Sequence, residues 1–258
     1  MTTLAIGIDI GGTGIKGAVV DVDTGDLVSE RVKVATPPGG EPDDIVAAVV
    51  EMADGFGEIA TSAPVGVCFP AVVLNGRTMS AANVSKAWIG LEAEKLFEAS
   101  LKRDIHFVND ADAAGVAEAR YGAAKGKQGL VILTTLGTGI GTAFLYNGTL
   151  IPNTELGHME LGGKDAETRM SYAAKERKGL SWADWAKRLQ TFYAKLEMLF
   201  SPTLFIVGGG VSKSDQEFLP LLELGTPIVP ATHRNNAGIL GAAALAADHS
   251  RLAAAGRD

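Results

Sequence analysis

Nine residues, Asp9-Ile10-Gly11-Gly12-Thr13-Gly14-Ile15-Lys16-Gly17, combine types and spacing that suit phosphate chemistry. An apolar run over residues 4–8 ends in a carboxylate, turns through glycines past a hydroxyl and a lysine, and returns as an alternating run over 18–22. Backbone N–H groups around Gly11 and Gly12 can form an anion-binding nest, to which Thr13 adds a donor and Lys16 a charge. Asp9 stands where a carboxylate could hold a hydrated Mg2+ against a bound phosphate. The stretch reads as the phosphate clamp of a phosphotransferase.

Gly12-x-Gly14-x-x-Gly17 also matches the dinucleotide fingerprint, but that motif opens a helix and is followed by an acidic residue roughly 20 positions on. After Gly17 the period is 2 and a turn follows at Asp23-Thr24-Gly25-Asp26, so the segment reads as strand and hairpin. No Gly-x4-Gly-Lys-[Ser/Thr] string occurs, which excludes a Walker A loop. A glycine hairpin without chemistry is the remaining alternative, and it leaves Asp9, Thr13 and Lys16 unexplained.

Further constellations lie downstream. Asn109-Asp110 closes a strand at 105–108 and leads into a helix over 111–121, at the strand end where open α/β sheets place ligands. A capping aspartate is the competing reading of Asp110. Leu136-Gly137-Thr138-Gly139-Ile140-Gly141 joins strands at 130–135 and 142–146, and laying 11–20 over 136–145 gives five identities in ten. Gly208-Gly209-Gly210 follows a strand at 203–207 and precedes a helix near 215–222, so the N–H groups of Gly209 and Gly210 suit a further phosphate or a nucleotide. A bare helix-start turn is the alternative there. Glu155-x-x-His158 could be half of a metal site, but no further ligand cluster accompanies it, and Glu160 has no assigned role.

The elements that must position these residues follow from periodicity and breakers. A strand over 27–36 stops at Pro37-Pro38-Gly39-Gly40, a helix covers 42–52, a buried strand 64–69, and a loop over 79–90 holds Asn83 and Trp88. Helices are expected over 91–101, 166–178 and, N-capped by Ser181, up to Phe200. A strand at 227–230 and an alanine-rich helix over 237–247 complete the chain. The repeated strand–glycine turn–strand predicts an α/β protein with a duplicated lobe: 1–108 plus 237–258 as one, 109–236 as the other.

Composition sets the outer limits. Of 258 residues 47% are apolar and 21% charged, ordinary for a globular chain with a real core. A net charge of −7 argues against a general nucleic-acid binder. The single cysteine, Cys68, permits no intramolecular disulfide or cysteine-based metal cluster; it fits a reducing compartment and reads as a buried core thiol. No segment is long and apolar enough for a membrane helix, and the first strand begins without a leader, so a soluble cytoplasmic protein is expected.

Taken in order, Asp9-Ile-Gly-Gly-Thr-x-x-Lys16, Asn109-Asp110, Gly137-Thr-Gly139 and Glu155-x-Gly-His158 resemble the ROK family of bacterial sugar kinases, within the sugar kinase/actin/Hsp70 superfamily. The resemblance runs from residue 9 to about 245. It implies two ribonuclease-H-like (actin-like ATPase) lobes with a central cleft, phosphates held by two glycine hairpins, and Mg2+ near Asp9 through water. Asp110 is then the general base for a sugar 6-hydroxyl. Asn83, Asn109, Glu155, His158 and Glu167 match sugar-contacting positions, and Gly137-Thr138-Gly139 grips the phosphoryl donor.

One departure narrows the resemblance. The family's Cys-x-Cys-Gly-x-x-Gly-Cys zinc string is replaced by Met159-Glu-Leu-Gly-Gly-Lys-Asp-Ala-Glu-Thr168, so no Cys3His zinc site is expected. Gly-His-Met-Glu-Leu with Gly-Lys-Asp-Ala-Glu resembles the polyphosphate-using branch. Its members phosphorylate glucose, and some mannose, with inorganic polyphosphate and sometimes ATP. Residues 164–195 hold eight basic side chains against four acidic ones, a surplus that suits a polyphosphate track or a solvated helix face. An ATP-only hexokinase is the nearest alternative. A sugar-sensing repressor would need an N-terminal helix-turn-helix, and only eight residues precede Asp9. A monomer or homodimer is expected.

Overall fold

The computed structural model describes residues 3–255, so residues 1, 2 and 256–258 of the expected first lobe lie outside the described residues. The chain divides into two compact units, one up to Ala117 and again from Asn236, the other Glu118–Asn235.

In the first unit β1 (Leu4–Ile10), β2 (Ile15–Asp21), β3 (Asp26–Leu27), β4 (Val32–Val34) and β5 (Val65–Phe69) are joined by a small hairpin, β6 (Val73–Leu74) and β7 (Arg77–Thr78), and by β8 (Ile105–Asn109). The sheet order is β3-β2-β1-β5-β8, with β4 also on β2; β1 and β2 are antiparallel, and β5 and β8 run parallel to β1. The strand expected over 27–36 is therefore reduced to β3 and β4. One face packs on α1 (Pro42–Asp54) and α2 (Ala93–Leu101) through a ring cluster of Phe69, Trp88, Phe97 and Phe107. Trp88, expected in a loop, is fully buried, and its indole N–H donates to the Gly40 carbonyl at 2.9 Å.

The opposite face lies under the closing helix, Ala237–Ala255. Side chains alternate along a strand, so Gly7, Gly66 and His106, in register across β1, β5 and β8, form one row beneath it. A Cβ on Gly66 would lie 2.0 Å from the Ala242 carbonyl oxygen, so glycine is what lets the helix backbone approach. His106 ends the row against the His249 ring, and burial, then the charge of His249, pushes its imidazole down to about 4.

The second unit repeats the plan. Its strands β9 (Leu130–Leu136), β10 (Ile140–Tyr146), β11 (Thr149–Ile151), β12 (Leu204–Gly208) and β13 (Ile228–Pro230) lie in the order β11-β10-β9-β12-β13, with the same sequence of antiparallel and parallel neighbours. β9 carries the burial alternation of β1, and β10 that of β2 up to its last residue.

Ser181 caps the long helix as expected, its hydroxyl accepting from the Asp184 N–H. The helix expected over 166–178 is instead two, α3 (Asp110–Tyr121) being followed by α4 (Glu167–Met170) and α5 (Tyr172–Arg177), before α6 (Trp182–Phe200). Ser171 breaks it: its backbone is extended (ψ 158°) and its hydroxyl accepts from Ala174 to cap α5. The helix expected near 215–222 is also corrected. Short 3-10 turns, Gly210–Glu217 and Leu219–Leu221, stand there; Ser214 leaves helical backbone angles, and Pro220 has no N–H to give.

The crossings between units fall after Ala117 and after Asn235, whereas the sequence boundaries were 108/109 and 236/237. The start of α3 stays with the first unit because Gly241 of the closing helix abuts the Ala113 backbone. Glu118 serves the second, accepting from the Ala123 and His233 N–H groups at 2.8 Å each.

Candidate active site

In the first unit, β1 and β5 bring Asp9 beside Cys68, and the β1–β2 pairing sets Asp9 opposite Lys16. Lys16 Nζ donates to Asp9 Oδ2 at 2.9 Å, and Cys68 Sγ lies 3.7 Å from Oδ1 as a weak donor. Burial first, then the charges of Asp9 and Asp110, push the Cys68 thiol well above its ordinary range, so it is a neutral neighbour of both carboxylates. Gly238, in the first turn of the closing helix, presses on the same carboxylate: a Cβ there would sit 2.9 Å from Asp9 Cγ.

Asp110 opens α3, and the capping task of its competing reading belongs to Asn109. The Asn109 Oδ1 accepts from the N–H groups of Ala111 (2.8 Å) and Asp112 (3.0 Å), while Nδ2 donates to the Ala71 carbonyl (2.9 Å). Asn109 is buried and already engaged at both ends of its amide, so only its second N–H is left for a sugar.

The glycine turn corrects one detail of the nest. The Gly11 N–H closes the turn onto the Gly14 carbonyl at 3.0 Å, which leaves those of Gly12 and Thr13 for a ligand. The second turn does the same, Gly137 N–H to Gly139 C=O at 3.0 Å, leaving Thr138 and Gly139. Gly11 and Gly137 therefore build the turns and do not offer donors. Asn83, distant in sequence, is brought onto the first turn: a Cβ on Gly12 would lie 2.6 Å from Asn83 Cβ.

In the second unit Glu167 sits on the second glycine turn itself. Its Oε2 accepts from the Ile140 N–H at 2.9 Å, and a Cβ on Gly139 would meet that oxygen at 2.2 Å. Gly209, at φ +81°, lies against the Leu136 backbone, which brings the third glycine turn next to the second. The helix N-terminus expected behind Gly209 and Gly210 is absent, because 3-10 turns follow, so only loop N–H groups remain there.

Where the zinc string would fall, the chain makes a tight hairpin closed by a Glu160–Asp165 bridge. Asp165 accepts from His158 Nδ1 at 2.8 Å and holds the Thr168 N–H. Among the described residues no group of three or more His, Cys, Asp or Glu is placed to hold a metal. The Asp165 hydrogen bond, with help from Glu167, Asp165 and Glu155 charges, raises His158; burial pushes the Glu155 carboxyl up.

The sign for His158 follows from linkage. A histidine raised in the folded state contributes stability fully below about pH 6.5, and that contribution is lost as pH rises through the raised value. Asp165→Asn should return the His158 titration, followed by NMR, toward the ordinary value; an unchanged midpoint would remove Asp165 as its cause.

The basic surplus at 164–195 separates into two classes. Lys175 pairs with Glu176 and lies over the Trp182 ring, and Lys187 pairs with Asp184. Lys164, Arg169, Arg177, Lys178, Arg188 and Lys195 enter no ion pair among the described residues. The three arginines are tethered by backbone carbonyls instead: Arg169 to Leu161 (3.5 Å), Arg177 to Thr168 (3.1 Å) and Arg188 to Arg169 (3.1 Å). Partial desolvation, then the charges of Arg188, Arg177, Arg169 and Lys164, lower Lys178, so Lys178 and those four cations share one field, which does not include Lys195.

Comparison with known proteins gives a consistent family. A model described as ROK family matches residues 5–175. The chain is 48% identical over 238 residues to a polyphosphate glucokinase of Mycobacterium tuberculosis (strain CDC 1551 / Oshkosh), covering 92% of this chain and 89% of that one. Among solved structures, the inorganic polyphosphate/ATP-glucomannokinase from Arthrobacter sp. strain KM superposes with a TM-score of 0.92 at 50% identity, covering 96% and 99% of the two chains. A ROK family glucokinase from Streptomyces griseus, in complex with glucose and AMPPNP, gives 0.81 at 26%, covering 95% and 99%. The fold expected from the sequence, ribonuclease-H-like units of the actin-like ATPase class, is the one observed.

Proposed function

Because the chain belongs to the ROK family, we propose that it is a glucokinase that transfers the terminal phosphoryl group of inorganic polyphosphate to the 6-hydroxyl of glucose. ATP serves as a second donor and mannose as a second acceptor. One observation carries the donor assignment: five cations in one field that enter no ion pair among the described residues, three of them arginines held by backbone carbonyls with donors to spare. Such a group suits a long polyanion better than a single nucleotide, because charge-assisted bonds can be repeated along the chain.

The chemistry asks little covalent work of the protein. As the sugar oxygen bonds to phosphorus, the bond from phosphorus to the bridging oxygen breaks; the hydroxyl proton passes to the Asp110 carboxylate, and the shortened polyphosphate leaves with the electron pair. The Gly12, Thr13, Thr138 and Gly139 N–H groups support phosphate oxygens. Glu155, His158 and Asn83 are proposed to orient the sugar. The Asp9 carboxylate, its oxygens only singly bonded to Lys16 and Cys68, fits a Mg2+ held through water. When bound, that ion neutralises donor oxygens.

Turnover of glucose with long-chain polyphosphate in nucleotide-free buffer tests the reading, and none would overturn it in favour of an ATP-only hexokinase. Crossing both donors with mannose settles acceptor range. Replacing Arg169 and Arg188 together by Gln should raise the polyphosphate KM about tenfold or more and the ATP KM much less. Equal effects on the two donors would dissociate the cation group from polyphosphate.

A further inference from the structure

We propose that Lys33, outside every motif described above, is a donor-phosphate ligand of the first glycine turn and supplies its unneutralised positive charge. This rests on the phosphoryl-transfer reading but not on which donor is used.

The motif lysine cannot fill that role alone. Lys16 is held by Asp9 at 2.9 Å, and Asp110 adds a second carboxylate to the same neighbourhood through Cys68. Until Mg2+ is held at Asp9, a phosphate approaching the Gly12 and Thr13 N–H groups from that side meets two carboxylates and one lysine that is already paired. Repulsion of this kind grows as water is excluded.

Lys33 brings a second cation of the protein itself to the turn. Strand β4 pairs with β2 so that Lys33 stands directly opposite Lys16. Its stem crosses the turn: Lys33 Cε is 3.1 Å from where a Cβ on Gly14 would be, and the Val34 carbonyl is 3.2 Å from the same point. Gly14 has no positive φ to explain it, so the room it leaves for β4 is its structural reason. The segment is pinned again beyond the strand, where the Thr36 hydroxyl donates to the Gly11 carbonyl. Lys33 is exposed and enters no ion pair among the described residues. A lysine ammonium is a compact charge with three donors on a flexible stem, which matches the non-bridging oxygens of a phosphate.

The test compares Lys33→Gln and Lys33→Arg with wild type, using polyphosphate and, separately, ATP. Lys33→Gln should raise the donor KM about tenfold and leave the glucose KM within about twofold. The rise of donor KM with ionic strength should also become shallower in Lys33→Gln. Lys33→Arg, which keeps the charge, should restore most of the donor affinity. A Lys33→Gln enzyme with wild-type donor KM, or one whose glucose KM rises equally, would overturn the proposal. If wild type turns over only ATP, the polyphosphate reading falls and Lys33 is judged on ATP alone.

Discussion

Asp110→Asn is expected to lower kcat by about 10² or more while glucose binding, measured by calorimetry, stays close to wild type. The amide keeps the size of the side chain and loses the ability to accept the hydroxyl proton. Because Asn109 performs the capping of α3, the substitution should leave the helix start intact, so a kinetic loss cannot be assigned to unfolding. Thermal unfolding of the variant within a few degrees of wild type, alongside the loss in kcat, is the expected pair of results. Wild-type turnover would remove Asp110 from the chemistry.

The second large effect concerns the fold. Gly66→Ala places its Cβ 2.0 Å from a backbone oxygen of the closing helix, and a backbone atom cannot swing aside as a side chain can. Overpacking of this kind should cost about 3 kcal/mol or more. In a chain of this size that corresponds to a drop in Tm of roughly 6–12 °C, read by circular dichroism. A Tm within about 2 °C of wild type would mean that the helix can move off the sheet at little cost.

Much of this was legible because it is local. Apolar runs leading into glycine turns located β1 and β9, the runs returning from those turns located β2 and β10, and the repeated Gly-Thr-Gly-Ile pointed to the duplication that the two sheet orders now display. Ser181 was readable as a cap because its partner lies three residues away. Most of the misses are non-local. The break at Ser171 carries a local cap of the same kind, its hydroxyl accepting from the Ala174 N–H, and a non-local anchor is added by the Gly137 carbonyl, which accepts from the Ala173 N–H. The alternation in 27–36 cannot say which residue reaches the glycine turn, and no motif marks Lys33. Composition counted eight basic residues, but only tertiary contacts show which are neutralised. Asn109 and Glu167 were read for sugar, yet each makes backbone hydrogen bonds that hold a turn or helix start in place, a role visible only in geometry.

The row of Gly7 and Gly66 also bears on the order in which the chain can be completed during synthesis. The second unit is continuous, Glu118–Asn235, and all of its strands have been synthesised before the closing helix is made. The first unit begins earlier but waits for that helix, so its glycine-lined sheet face stays open while more than a hundred further residues are added. Domains tend to fold as units when their residues become available. The unit translated first is thus the one finished last.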